Sequence, residues 1–288
     1  MRAEFEAGSD ADKNGAFIFQ QAKQKDFRLT IGPGDYHVPA FDWIAGVGLD
    51  FQGQSGEARP NIILGKSVSG WCGLELNHNV YLRHLSLSAP FGPGVQSQVL
   101  GFQRPPYVVG KNNTGCLPGS HIILDDCIFS GGAFALECWT CQGAIIDAYR
   151  CQFSGAWAVC AGGSSGPNAQ TINLYDCRML VDRLSYPSAD ASQGNQFGGF
   201  APQVAGVVAR GGRVNVYGGG ISVRGAPGVR TFAALTTTAG ETPADPAKHP
   251  RPDWPFVGLH DVTINVEPCG ATVFGEVDPQ VGTIERCP

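Results

Sequence analysis

The chain has 288 residues, of which 43% are hydrophobic and only 16% charged, with a net charge of −5. That composition excludes an intrinsically disordered chain, and the absence of any basic run excludes a binder of nucleic-acid backbone. No apolar stretch approaches the ~20 residues needed to cross a bilayer, so no membrane partner is expected.

Glycine (40) and proline (20) are abundant and methionine (2) is scarce, which favours strands and turns over helix. The first fifteen residues, MRAEFEAGSDADKNG, lack the apolar core of a secretion signal. Either a signal has been removed, or the protein leaves the cell by another route, or it stays inside. Residues 14–26 carry Phe17, Phe19 and Ala22 at helical spacing and are expected to form a short helix capping an open sheet end. The segment starting at Leu29, LTIGPGDYHV, reads as strand, Gly-Pro-Gly turn and strand.

From there the chain repeats. The segments HIILDDCIFSG from His121, IIDAYRCQFSG from Ile145 and TINLYDCRML from Thr171 align on Cys127, Cys151 and Cys177, which lie 24 and 26 residues apart. Apolar and polar residues alternate at period two around each cysteine, the signature of a strand. Ile122, Ile146 and Ile172 match, as do Leu124, Ala148 and Leu174, and then Phe129, Phe153 and Met179. VYLRHLSLS from Val80 extends the pattern upstream. VNVYGGGISV from Val214 and VTINV from Val262 extend it downstream, and VGLDFQG from Val47 and NIILG from Asn61 are fainter early coils. One such strand cannot bury its apolar side alone, but like stacked on like ~4.8 Å apart makes a continuous core. Long loops are expected at about 89–120, 181–212 and 224–260.

The cap, the IGPGDYHV turn and the repeated I-x-L-x-D-C-x-F-S-G coils resemble the right-handed parallel β-helix proteins of the pectate-lyase-like superfamily. The resemblance covers roughly residues 14–270. It implies an all-β, single-stranded solenoid in one domain over 1–288: cap helix at 14–26, coils over 28–270, and a C-terminal cap or tail over 271–288. That superfamily includes pectate and alginate lyases, polygalacturonases, pectin methylesterases, uronan epimerases, phage tailspikes and adhesins, so fold alone does not select an activity.

If Ile122, Leu124 and their equivalents face inward, the residues between them face out. One outward column reads Tyr81, Ile123, Asp147, Asn173, Asn215, Thr263. The next reads Arg83, Asp125, Tyr149, Tyr175, Tyr217, Asn265, and a turn-edge column reads His84, Asp126, Arg150, Asp176, Gly218. Tyrosine rings can stack on sugar faces while acids and arginines bond hydroxyls or carboxylates. The same residue types also suit an ordinary solvated sheet face. Asp125, Asp126, Asp147, Asp176 and Arg150 are the candidate catalytic groups. Tyr149, Tyr175, Tyr217, Arg83, His84, Asn173, Arg178 and Asn215 are the candidate substrate-binding groups. Asp125 with Asp147, roughly one to two coil spacings apart, and Asp126 with Asp176, two coils or ~10 Å apart, are both geometrically possible as a glycosidase pair. Asp126 beside Arg150 would equally serve as a cross-coil ion pair, and Tyr149 or Tyr175 with Arg150 or Arg178 could act as base and charge neutraliser in a lyase.

Family signatures are missing. The Asp125-Asp126-Cys127 run lacks the Gly-His-Gly and Arg-x-Lys partners of polygalacturonases, and the calcium-binding acid clusters of pectate lyases do not occur, so no cofactor is expected and calcium, the one candidate, has no convincing ligand cluster. An even count of ten cysteines favours an oxidising compartment. Cys138 or Cys141 with Cys160, Cys72 with Cys116, and Cys269 with Cys287 are candidate staples, whereas Cys127, Cys151 and Cys177 suit a reduced core ladder. The expectation is a carbohydrate-active enzyme, hydrolase or lyase, cleaving an acidic polysaccharide. The alternative is a non-catalytic adhesin, tailspike-like fibre or sugar-binding scaffold. Either would work outside the cell or on a virion surface, as a monomer or homotrimer.

Overall fold

The computed structural model describes residues 27–38, 44–45, 49–64, 75–76, 79–89, 98–103, 119–131, 134–139, 143–155, 157–162, 169–182, 203–224, 230–236, 256–267, 272–276 and 283–287. The expected cap helix at 14–26 lies outside them.

The described residues wind into three sheets in which every strand pairing is parallel, a right-handed parallel β-helix. The first sheet stacks nine strands: Phe27–Ile31, Leu49–Gly53, Val80–Arg83, His121–Asp125, Ile145–Tyr149, Thr171–Tyr175, Arg213–Tyr217, Phe256–His260 and Thr283–Cys287. The second stacks eight, from Asp35–Val38 through Ile128–Gly131, Gln152–Ser154 and Arg178–Asp182 to Thr263–Glu267. The third also stacks eight, from Ile44–Ala45 through Phe134–Trp139, Trp157–Gly162, Gln203–Arg210 and Arg230–Thr236 to Thr272–Glu276.

Period-two alternation makes the first two sheets one-sided. Val80, Ile122, Ile146, Ile172, Val214 and Val257 form one inward ladder, and Phe51, Leu82, Leu124, Ala148, Leu174, Val216 and Leu259 form a second; all are buried. Phe129 and Phe153 stack with centroids 5.2 Å apart. Each fully buried aliphatic or aromatic side chain contributes about 1.5–3 kcal/mol.

The corner between the first and second sheets has a fixed form. His84, Asp126, Arg150, Asp176 and Asp261 all take positive φ of 52–54°, and Gly218 does the same at 68°. Asp and His tolerate this region better than most residues. At each of these corners from His84 to Gly218 the backbone N–H donates to a carbonyl on the next coil, as Asp126 N does to Tyr149 O at 2.9 Å. Immediately after the corner the chain turns inward, placing Leu85, Cys127, Cys151, Cys177 and Val262 in the core. Burial pushes the Cys127 thiol up, and its neighbour Cys151 together with burial does the same to Cys177. The thiols of Cys127, Cys151 and Cys177 donate to the carbonyls of Asp125, Tyr149 and Tyr175 at 3.3–3.4 Å. Cys127 and Cys177 are therefore held as thiols, and the ladder packs as small apolar side chains in the core.

Several expectations are corrected. The stretches read as loops contain strands of the third sheet, Gln98–Gln103, Gln203–Arg210 and Arg230–Thr236, and the first-sheet strand Phe256–His260. The physical reason is that Trp157–Gly162 and residues 205–209 and 231–236 are buried on both faces, so they show no alternation. Within the stretch read as a C-terminal cap or tail, Thr272–Glu276 and Thr283–Cys287 continue the third and first sheets in parallel register. The segment VTINV belongs mostly to the second sheet, so Thr263 and Asn265 leave the first-sheet face and Gly258 and His260 take their places. Gly258 occupies an outward position, which hid the strand from a search for alternating polarity. The segments from Val47 and Asn61 supply the first- and second-sheet strands of a single coil rather than two coils.

The third sheet also decides one disulfide. Its pairing skips Ala158, so Ala158 and Val159 both face inward and Trp157 and Cys160 face outward. Cys138 packs in the inner core and Cys160 in an outer cluster with Trp157, Val208 and Phe232. A Cys138–Cys160 bridge is excluded because the two side chains leave opposite faces. Cys72, Cys116, Cys141 and Cys269 lie outside the described residues.

Candidate functional site on the outer face of the first sheet

Strand register turns the outward positions into straight tracks parallel to the helix axis. The first runs Tyr81, Ile123, Asp147, Asn173, Asn215 and the second Arg83, Asp125, Tyr149, Tyr175, Tyr217, His260. Thus Asp125, Asp147, Tyr149, Tyr175, Tyr217, Arg83, Asn173 and Asn215 share one face. His84, Asp126, Arg150 and Asp176 line its corner. Arg178 starts a second-sheet strand, in register with Gln152, and so lies round the corner from this face.

The aromatic track is a continuous stack. Ring centroids are 4.9 Å apart for Tyr149–Tyr175, 5.0 Å for Tyr175–Tyr217 and 4.7 Å for Tyr217–His260, with planes within 14° of parallel. Both faces of Tyr175 and Tyr217 are therefore covered by neighbouring rings, and what they offer a ligand is edges and phenol hydroxyls. Burial, then the carboxylates of Asp147 and Asp125, push the Tyr149 hydroxyl up; burial, Asp147 and the flanking tyrosines do so for Tyr175. Both are held as phenols.

The polar track is hydrogen-bonded along its length. Asn215 Nδ2 donates to Asn173 Oδ1 at 2.9 Å, and Asn173 Nδ2 donates to Asp147 Oδ1 at 2.9 Å. The other oxygen of Asp147 lies 2.7 Å from His121 Nε2. Asp125 sits between two cations, bonded by Arg150 Nη2 and 3.6 Å from Arg83 Nε.

Asp126 does not pair with Arg150. It meets Arg59, from the segment before Pro60, and His84 Nδ1 at 2.7 Å; His84 Nε2 lies 3.0 Å from the Glu57 carbonyl. Burial alone would raise the Asp126 carboxyl, but the bonds and charges of His84 and Arg59 outweigh it and hold the group below its ordinary range. A depressed carboxyl stabilises the fold above its unfolded value and loses that contribution as pH falls through the folded value. We expect Asp126→Asn to lower the urea midpoint at neutral pH, and the gap from the parent to close on acidification below about pH 4.

Sequence reasoning missed three participants. His121 opens the strand one outward position before Ile123, so the period-two rule already placed it on this face. His260 was hidden by the shifted register. Arg59 has no sequence signal, because its partner Asp126 is 67 residues away. Among the described residues, no group of three or more His, Cys, Asp or Glu is placed to hold a metal ion.

No family model matches the chain, and no curated protein matches it. Among solved structures, it is similar to a pectin methylesterase from Aspergillus niger in deglycosylated form, at 11% identity and a TM-score of 0.45, over 97% of this chain and 93% of that one. It is also similar to a tailspike protein from a Pseudomonas phage, at 13% identity and a TM-score of 0.35, over 92% of this chain and 49% of that one.

Proposed function

We propose that the outward face of the first sheet is a binding surface for an acidic polysaccharide. The observation that carries the reading is the pairing of two register-locked tracks, phenol edges on one and amide and carboxylate groups on the other, repeated over successive coils. A rigid face of this kind loses little conformational entropy on binding. The acidic character follows from Arg83 and Arg150. Two guanidinium groups share the single carboxylate of Asp125, and their side chains are 56% and 61% exposed, so donors remain for a ligand carboxylate. Such a protein would work outside the cell or on a virion surface, as a monomer or homotrimer.

Cleavage of the bound polysaccharide is the second reading. It is favoured by Asp125 and Asp147, which stand diagonally on adjacent coils, roughly 8 Å apart by strand geometry, within the span of an inverting pair. The test is a panel of neutral and acidic polysaccharides. Retardation in affinity electrophoresis reports binding, new reducing ends report hydrolysis, and ultraviolet absorbance of an unsaturated uronate reports elimination. Retardation without either product excludes chain cleavage, and no retardation by any acidic polymer contradicts the binding reading.

A further inference from the structure

Two histidines meet carboxylates on this face, and their second nitrogens differ. His84 contacts an acceptor through each nitrogen, Asp126 Oδ2 at 2.7 Å and the Glu57 carbonyl at 3.0 Å, so neither nitrogen is open to a ligand. His121 uses Nε2 alone, at 2.7 Å from Asp147 Oδ2. An ionised carboxylate only accepts, so Nε2 carries the hydrogen and the lone pair of the neutral ring sits on Nδ1. Among the described residues Nδ1 has no hydrogen-bond partner, and the His121 side chain is 49% exposed against 15% for Asp147.

The support behind the ring is layered. The His121 backbone N–H donates to Asn79 Oδ1 at 2.9 Å, fixing the start of the strand. Asn173 Nδ2 holds the far oxygen of Asp147 at 2.9 Å, and Asn215 holds Asn173 in turn. Beside His121, in register on the next coil, Ile145 is 44% exposed, and Ile123 stands outward on the adjacent track.

We propose that His121 is the proton acceptor of an ester-hydrolysing site on this face, with Asp147 as its positioning residue and Ile145 as the shelf for the apolar part of the ester. The inference rests on the polysaccharide-binding reading and names the chemistry of the same surface. A water held by Nδ1 gives up a proton to the ring as its oxygen bonds to the ester carbonyl carbon. The carbonyl π pair moves to oxygen, then returns as the bond to the alkoxy oxygen breaks. That leaving oxygen takes the proton from the imidazolium, yielding an alcohol and a carboxylic acid. One base can serve both transfers because the entering and leaving oxygens share one acyl carbon. Glycoside hydrolysis instead needs two carboxyl groups flanking the linkage, and would draw on Asp147 with Asp125 rather than on His121. Asp147 stays ionised throughout and stabilises the imidazolium.

The probes are acetylated and methyl-esterified polysaccharides, with released acetate or methanol measured alongside gel retardation. We expect His121→Gln to lower kcat by a hundred-fold or more while retardation and thermal melting stay as in the parent. Asp147→Asn should lower kcat and displace the acid limb of the pH–rate profile, and Ile145→Ser should raise KM for the bulkier ester. Nitrogen NMR supplies a readout free of turnover: the neutral His121 ring is protonated at Nε2 in the parent, and Asp147→Asn perturbs that assignment. Retardation without release from any ester overturns the proposal and leaves the binding reading intact, and release that persists in His121→Gln also overturns it. Failure of every polysaccharide to bind overturns both.

Discussion

Replacing Phe153 with alanine is expected to cost about 3–5 kcal/mol of stability. Phe153 is fully buried, pairs in register with Phe129 on one side and Met179 on the other, and stacks on the Phe129 ring with planes 9° apart. The coil above and the coil below are held by their own backbone ladders, so the space left by the ring cannot collapse. Urea denaturation measures the loss; Phe153→Leu, which retains most of the volume, should recover the larger part of it.

Gly219→Ala is expected to be nearly as damaging, at about 3 kcal/mol or more, because overpacking and a left-handed backbone combine. Gly218 and Gly219 both have positive φ, at 68° and 67°. A methyl at Gly219 would run into the Cys177 carbonyl and lie 2.8 Å from the Cys177 nitrogen, both backbone atoms that the sheet holds in place. At Gly218 the obstacle is the side-chain carboxylate of Asp176, which can turn away. Gly218→Ala should therefore cost only about 1 kcal/mol, and the difference in melting between the two variants isolates the clash from the backbone strain.

The same contrast between local pattern and long-range contact explains how much was legible beforehand. The coils from Val80, His121, Ile145, Thr171 and Val214 could be read because they have one wet face and one dry face, and alternation reports that asymmetry. The third sheet could not, since Trp157–Gly162 and residues 231–236 are buried on both sides and a continuous apolar run carries no face information. Alternation also placed Asp125, Asp147 and the tyrosines on one surface. It could not foretell that the tyrosines would stack on one another, which follows from the ~4.8 Å strand spacing matching ring thickness plus a small offset. Nor could it pair Asp126 with Arg59 or Asp125 with Arg150, because ion-pair choice depends on side-chain reach at a corner. The cysteine staple failed for a related reason: sequence spacing put Cys138 and Cys160 one coil apart but could not reveal the skipped pairing at Ala158 that sends them to opposite faces.

An acidic polysaccharide bound to the outward face of the first sheet would meet Arg150 and Tyr217 directly. The most direct measurement is the affinity of the retained polysaccharide for Arg150→Ala and Tyr217→Ala, set against Ser222→Ala on the second sheet. Binding on the first sheet entails a ten- to hundred-fold weakening for Arg150→Ala, the worth of one charge-assisted contact at about 1.5–3 kcal/mol, a smaller loss for Tyr217→Ala, and no change for Ser222→Ala. Affinity that is unaltered by both first-sheet substitutions, or that falls with Ser222→Ala alone, would contradict it.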